Sequence, residues 1–150
     1  MSIAINYLDP IQATIKMLKD YYDQKWKAEH GKERINQIQA RMESVTANVG
    51  KDPVSGGGGN RAEEALIAGI DQKTIAEHGY QQALEYMAVM DACLARLTEQ
   101  ERRLLELRYI DYYAEGNGIV RIMEEFHVEK TKAYNLSNRA LRRLVKLLFW

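Results

Sequence analysis

The sequence predicts an all-α protein: a long N-terminal helical hairpin followed by a compact helix-turn-helix domain. Three observations predict it. Apolar residues recur at steps of three and four along most of the chain. The only prolines, Pro10 and Pro53, stand where helices start or stop. No segment alternates apolar and polar residues with the period of two that a half-buried strand requires.

The first helix is expected at Asp9-Pro10, an N-cap followed by proline at the first helical position. Ile11, Ile15, Leu18 and Tyr22 form its stripe, and Ile35, Ile38, Met42, Val45 and Val49 continue the helical pattern. Trp26 is placed to bridge the two stripes. Gly31 is expected to kink or interrupt the helix, since glycine costs about 1 kcal/mol relative to alanine there. Residues 50–60, GKDPVSGGGGN, read as a flexible loop, because consecutive glycines lose the most backbone entropy on ordering. A second long helix is expected from about Arg61 to Arg96, with Leu66, Ile70, Tyr80, Leu84, Met87 and Leu94 facing inward. Lys73 and Glu77 interrupt that stripe, and Gly79 weakens it. The apolar stripes serve either as the hairpin's own core or, in part, as a dimer seam.

The pattern changes at Thr98. Thr98-Glu99-Gln100-Glu101 is a capping box, with Leu104, Leu105, Leu107 and Ile110 as the apolar face of the helix it opens. Residues 111–118, DYYAEGNG, read as a loop. A short helix follows over residues 119–126, with Ile119, Ile122, Met123 and Phe126 inward, and a longer one over residues 129–148. The boundary between a helical arm (residues 1–96) and a C-terminal domain (residues 97–150) is placed here.

Short helix, brief turn at His127-Val128, longer basic helix is the order of a helix-turn-helix. On a wheel of about 100° per residue, Leu136, Ala140, Leu141, Leu144, Leu147 and Leu148 fall within about 80° of Ala133 and form a core face. Thr131, Tyr134, Asn135, Asn138 and Arg142 fall between about 100° and 200°, on the opposite face. Asparagine can pair bidentately with adenine, and arginine with guanine. Lys130, Lys132, Arg139, Arg143 and Lys146 flank that face and suit phosphates. Charge distribution agrees. The chain carries 21 basic and 21 acidic residues, yet between Glu129 and Lys146 six basic residues face one acid, leaving +5 there and −5 elsewhere. A solvated basic helix face would give the same count.

Residues 97–144 carry a resemblance. LTEQERRLLELRY resembles the opening helix of region four of bacterial sigma factors, and IVRIMEEFHVEKTKAYNLSNRALRRL resembles that region's helix-turn-helix. Its closing alanine-leucine-arginine-basic-leucine stands here as Ala140, Leu141, Arg142, Arg143 and Leu144. Over most of its length the chain is similar to phage and prophage late-transcription regulators of the ArpU and RinA type, which join a helical N-terminal part to a sigma-like C-terminus. The resemblance implies a DNA-binding activator in which Lys130, Thr131, Lys132, Tyr134 and Asn135 face the major groove. It implies double-stranded DNA as partner, with RNA polymerase as a second one. The turn residue is His127 where glycine is common, the last helix opens on Glu129 where serine or threonine is usual, and the loop 111–118 is long. No stretch resembles a promoter-melting region, so a complete sigma factor is not expected.

The sequence gives no reason to expect an enzyme, cofactor or metal site. There is no P-loop or nucleophile elbow, the three histidines are widely spaced, and Cys93 is the only cysteine. Tyr21-Tyr22 and Tyr112-Tyr113 read as amphipathic surface packing. Glu124-Glu125 beside His127 is a weak metal pattern on a helix whose inner face is apolar. No apolar run approaches the roughly 20 residues of a membrane span, and no secretory leader is recognisable, so a location in the bacterial cytoplasm is expected. Three other readings remain open: a phage packaging protein of the small-terminase kind, a sigma-like module that binds RNA polymerase or another regulator, and a structural helical protein. A homodimer would hide surplus apolar surface on the hairpin and double the DNA contact.

Overall fold

A computed structural model describes residues 9–49, 58–114 and 116–150, and these are all-α, with no strand among them. Six α-helices follow in order: α1 (Pro10–Lys19), α2 (Tyr21–Val49), α3 (Gly58–Ala95), α4 (Glu99–Leu105), α5 (Gly118–Phe126) and α6 (Lys130–Phe149). A π-helical turn, Glu106–Ile110, extends α4. Most of the predicted loop 50–60 lies outside the described residues. Its last three residues belong to α3, which starts earlier than Arg61. Among the described residues no helix is long and apolar enough to cross a membrane.

Contacts divide the chain into two units. One joins Met1–Asp23 to Tyr86–Trp150, and the other is Gln24–Glu85. Both long helices therefore continue through a unit boundary. The first helix, placed by the sequence in the arm, shares a unit with the C-terminal helices.

In the first unit, Asp9 caps α1 by accepting from the backbone N–H of Ile11 at 2.9 Å and of Gln12 at 3.3 Å. The stripe expected to run from Ile11 to Tyr22 is broken at Asp20, between α1 and α2. α1 packs on α6 and on the π-helical turn. Leu18 is fully buried there, as is Thr14, whose hydroxyl donates to the carbonyl of Pro10 at 2.7 Å, so its burial leaves no donor unpaired. Thr98 opens α4 with both bonds of the capping box: its N–H donates to Glu101 Oε1 at 3.0 Å, and its hydroxyl accepts from the Glu101 N–H at 3.1 Å. Leu104, Leu105, Leu107, Ile122, Ala133, Ala140, Leu141 and Leu144 join Leu18, Met90 and Leu94 in one core.

In the second unit, α2 and α3 run antiparallel. Gly31 lies against Tyr80, and Gly69 against Met42. Among the less exposed positions, Gly31, Ile35, Ile38, Met42 and Val45 on α2, and Leu66, Gly69, Lys73, Ala76, Tyr80 and Ala83 on α3, follow one another in alternating steps of four and three. That is a heptad seam. It changes three readings. Gly31 does not interrupt α2, which runs on from Tyr21 to Val49; it lets Tyr80 approach, and a Cβ there would sit 2.6 Å from Tyr80 Cδ2. Ile70 and Leu84 are exposed, because the seam passes through their neighbours Gly69 and Ala83 instead. Lys73 does not interrupt the seam: its ammonium donates to Gln39 Oε1 at 2.8 Å and lies 3.8 Å from Glu77. Trp26 is not buried between the two stripes. It is 60% exposed, with its ring centroid 4.9 Å from that of His30.

Candidate nucleic-acid interface

The candidate interface comprises α5, a tight turn and α6. Asn117 caps α5, its Oδ1 accepting from the Ile119 N–H at 2.9 Å. Ile119 and Ile122 bury the inner face. The helix stops because His127 adopts the left-handed conformation, φ 54° and ψ 49°, and its N–H returns to the carbonyl of Met123. Histidine therefore occupies the turn position that glycine would fill at lower cost. Glu129 is extended and begins α6, but its side chain caps nothing.

On α6 the two faces separate as the wheel expects, except at Val145, which lies about 120° from Ala133 and is nonetheless buried. Ala133, Ala140, Leu141, Leu144 and Val145 are buried. Lys130, Thr131, Lys132, Tyr134, Asn135, Arg139 and Arg142 are exposed, and Asn138 is half-buried at the edge. Ion pairs among the described residues involve none of Lys130, Lys132, Arg139 or Arg142. Arg143, expected beside them as a phosphate contact, is committed elsewhere. Its Nη1 donates to Glu101 Oε1 at 2.6 Å, and its Nη2 to the carbonyl of Arg96 at 3.3 Å.

What supports this face from beneath was not read from the sequence. The π-helical turn, closed by Asp111 N–H donating to the carbonyl of Glu106 at 2.8 Å, carries Arg108. Arg108 Nη1 donates to Ser137 Oγ at 2.7 Å and to Asn138 Oδ1 at 2.6 Å. Its guanidinium carbon lies 5.0 Å from the Tyr109 ring centroid and 5.2 Å from that of Tyr134, within cation–π range of both. Ser137 is fully buried, and its hydroxyl donates onward to the carbonyl of Tyr134 at 3.2 Å. Gly118 packs under the turn, where a Cβ would come within 2.7 Å of the Leu107 carbonyl oxygen. Arg121 donates to the carbonyls of Leu107 and Asp111, both at 3.3 Å, satisfying acceptors that the widened turn exposes.

No family model, curated protein or solved structure matches this chain.

The chemistry of the face lies in its own residues. Lys130, Lys132, Arg139 and Arg142 supply exposed cations, Thr131 a hydroxyl, and Asn135 an exposed amide with both donor and acceptor. Tyr134 and Asn138 differ from the expectation, since both are engaged by Arg108. Nearby acids are held in place structurally. Arg103 grips the carboxylate of Glu125 with two bonds of 2.8 and 2.7 Å, and that hydrogen bonding holds the Glu125 carboxyl below its ordinary range. Burial pushes the Tyr109 phenol above its ordinary range, against the opposing pull of Arg108. Arg108 and Ser137 could have been singled out only by knowing that the chain brings them together across 29 residues.

Proposed function

We propose that this chain is a sequence-specific, double-stranded-DNA-binding transcriptional regulator, with α5 and α6 acting as a helix-turn-helix of the sigma region-four kind. The observation that carries this reading is the outer face of α6, where Lys130, Thr131, Lys132, Asn135, Arg139 and Arg142 are exposed together opposite a continuous buried face. Cations there suit phosphates, and Asn135 suits a base edge. The sequence resemblance to phage late-gene regulators supports an activator, with RNA polymerase as the second partner. Exposed Trp26, Ile67, Ile70 and Ile75 on α2 and α3 support a homodimer.

Footprinting on the source genome near late-gene promoters, with affinity followed against salt, tests the reading. Asn135→Ala should weaken binding by about 1–3 kcal/mol, and Lys130→Ala should weaken it as well. Lys130→Ala should do so evenly across sequences and flatten the salt dependence; Asn135→Ala should relax one base position. A folded double variant with unchanged affinity for every genomic fragment would refute it. Light scattering of the bound complex distinguishes a dimer from a monomer and from the large ring of a packaging protein.

A further inference from the structure

We infer that the helical hairpin of residues 24–85 binds a second copy of itself head to tail, the acid-edged apolar stripe of one copy's α3 lying in the basic groove between α2 and α3 of the next. This gives the self-association proposed above a definite surface; it rests on that part of the reading alone and not on DNA binding. The groove consists of two adjoining hollows, of 350 and 270 Å³, that share Ile38 and Gln72. Lys27, Arg34 and Arg41 line it from α2 at seven-residue intervals, which sets them about 10.5 Å apart along the helix. All three are exposed, and none belongs to an ion pair among the described residues. Paired helices commonly set acids opposite such flanking cations. Here the flanking α3 positions, also seven apart, are Ala65, Gln72 and Gly79, and no acid lines either hollow. Trp26 and Ile75 border the first hollow and are largely exposed. A Cβ on Gly79 would meet nothing within 4 Å, so the hollow has room for a side chain from outside. The groove therefore suits an apolar helix face edged by acids at a seven-residue spacing.

Helix α3 carries such a face itself. With Lys73 of the seam at zero on a wheel of about 100° per residue, the groove-lining Ala65, Ala68, Gln72, Ile75 and Gly79 lie about 80° to 160° to one side. Ile67 and Ile70, 56% and 53% exposed, lie about 60° to 120° to the other side. Glu64 and Asp71 border them at about 160° to 180°. These two acids are seven apart, exposed, and outside every ion pair among the described residues. Two isoleucines edged by two acids thus match hollows edged by cations at the same pitch. Because stripe and groove lie on opposite sides of α3, two rigid hairpins cannot each fill the other's groove at once. Every pair leaves one groove and one stripe free, which is a heterologous contact that continues into a ring or a chain of copies.

Sedimentation velocity of the full-length protein, from micromolar to millimolar concentration, tests this. Wild type should assemble beyond the dimer, and added salt should weaken the assembly by screening its charge pairs. Two double variants at exposed positions divide the contact. Arg34→Glu with Arg41→Glu spoils the groove, and Ile67→Glu with Ile70→Glu spoils the stripe. Each should be monomeric alone, with the helical circular dichroism of wild type. An equimolar mixture of the two should form one-to-one pairs and nothing larger, because the intact stripe of the first fits the intact groove of the second. That rescue also shows both variants to be folded. A wild type that stays monomeric overturns the inference, as does a closed dimer that never grows. So does a double variant that assembles like wild type, or a mixture of the two that stays monomeric. A monomeric wild type that binds a helical peptide of leucines edged by glutamates at seven-residue spacing would assign the groove to another protein's acidic helix instead. Wild type that assembles as expected but binds no duplex would refute the DNA-binding reading and leave the head-to-tail contact standing.

Discussion

Arg143 on α6 reaches Glu101 on α4 at 2.6 Å, and the same Glu101 oxygen closes the capping box by accepting from the Thr98 N–H. One carboxylate thus starts a helix and fastens the last helix to it. Burial pulls the Glu101 carboxyl upward, but the Thr98 hydrogen bonds and Arg143 outweigh it and hold the carboxyl below its ordinary 4.5. A depressed folded value adds stability that is complete above the unfolded value and lost as pH falls through the folded one. Thermal melts should therefore drop as pH falls below about 4.5, with Glu125, held down by Arg103, acting in the same direction. Glu101→Gln keeps the capping geometry, since glutamine serves in a capping box, and should flatten part of that acid dependence. An unchanged pH profile in Glu101→Gln would rule out the pairing as its source.

Leu144 is fully buried in the core that α6 shares with α1, α4 and α5, so Leu144→Ala should cost about 2–5 kcal/mol. Chemical denaturation measures it directly. A midpoint equal to wild type would mean that α6 does not pack on this face.

Two glycines should respond in opposite directions. Gly118 sits where a Cβ would meet the Leu107 carbonyl oxygen at 2.7 Å and Arg108 Cα at 2.8 Å, both backbone atoms that cannot step aside. Gly118→Ala should destabilise by about 1–3 kcal/mol, as overpacking does. Gly79 lies within α3 with nothing within 4 Å of a Cβ, so Gly79→Ala should stabilise by about 0.5–1 kcal/mol. Paired melts of the two variants check both signs at once.

What could be read from the sequence follows from the range of each interaction. The Asp9 and Thr98 caps are bonds spanning two or three residues, and the Leu141–Leu144 face is a period within one helix, so pattern suffices for both. The seam of α3 passes beside Ile70 and Leu84 because it places the smaller Gly69 and Ala83 inward, and hydrophobicity alone points to their larger apolar neighbours. Nothing in LRYI signals a π-helical turn, and its partners on α6 lie 29 and 30 residues away. Comparable separations conceal the engagement of Asn138 and Tyr134 by Arg108. The packing of α1 on α6 joins the two ends of the chain, which no local period reports.

The turn between α5 and α6 supplies the last prediction. Among the described residues His127 is the only non-glycine residue with positive φ, at 54°. An L-residue there pays about 1–2 kcal/mol for the approach of its Cβ to the following carbonyl, and histidine bears it better than most. His127→Gly removes the clash but adds unfolded-state entropy, so the net gain should be a few tenths to about 1 kcal/mol. His127→Val puts a branched Cβ in the same conformation and should cost at least about 1 kcal/mol. Because φ and ψ of this residue set how α6 leaves α5, the valine variant should also weaken DNA binding beyond its effect on the melt, whereas the glycine variant should bind as wild type. Equal melting temperatures for the two variants would show that the left-handed turn is not kept in solution.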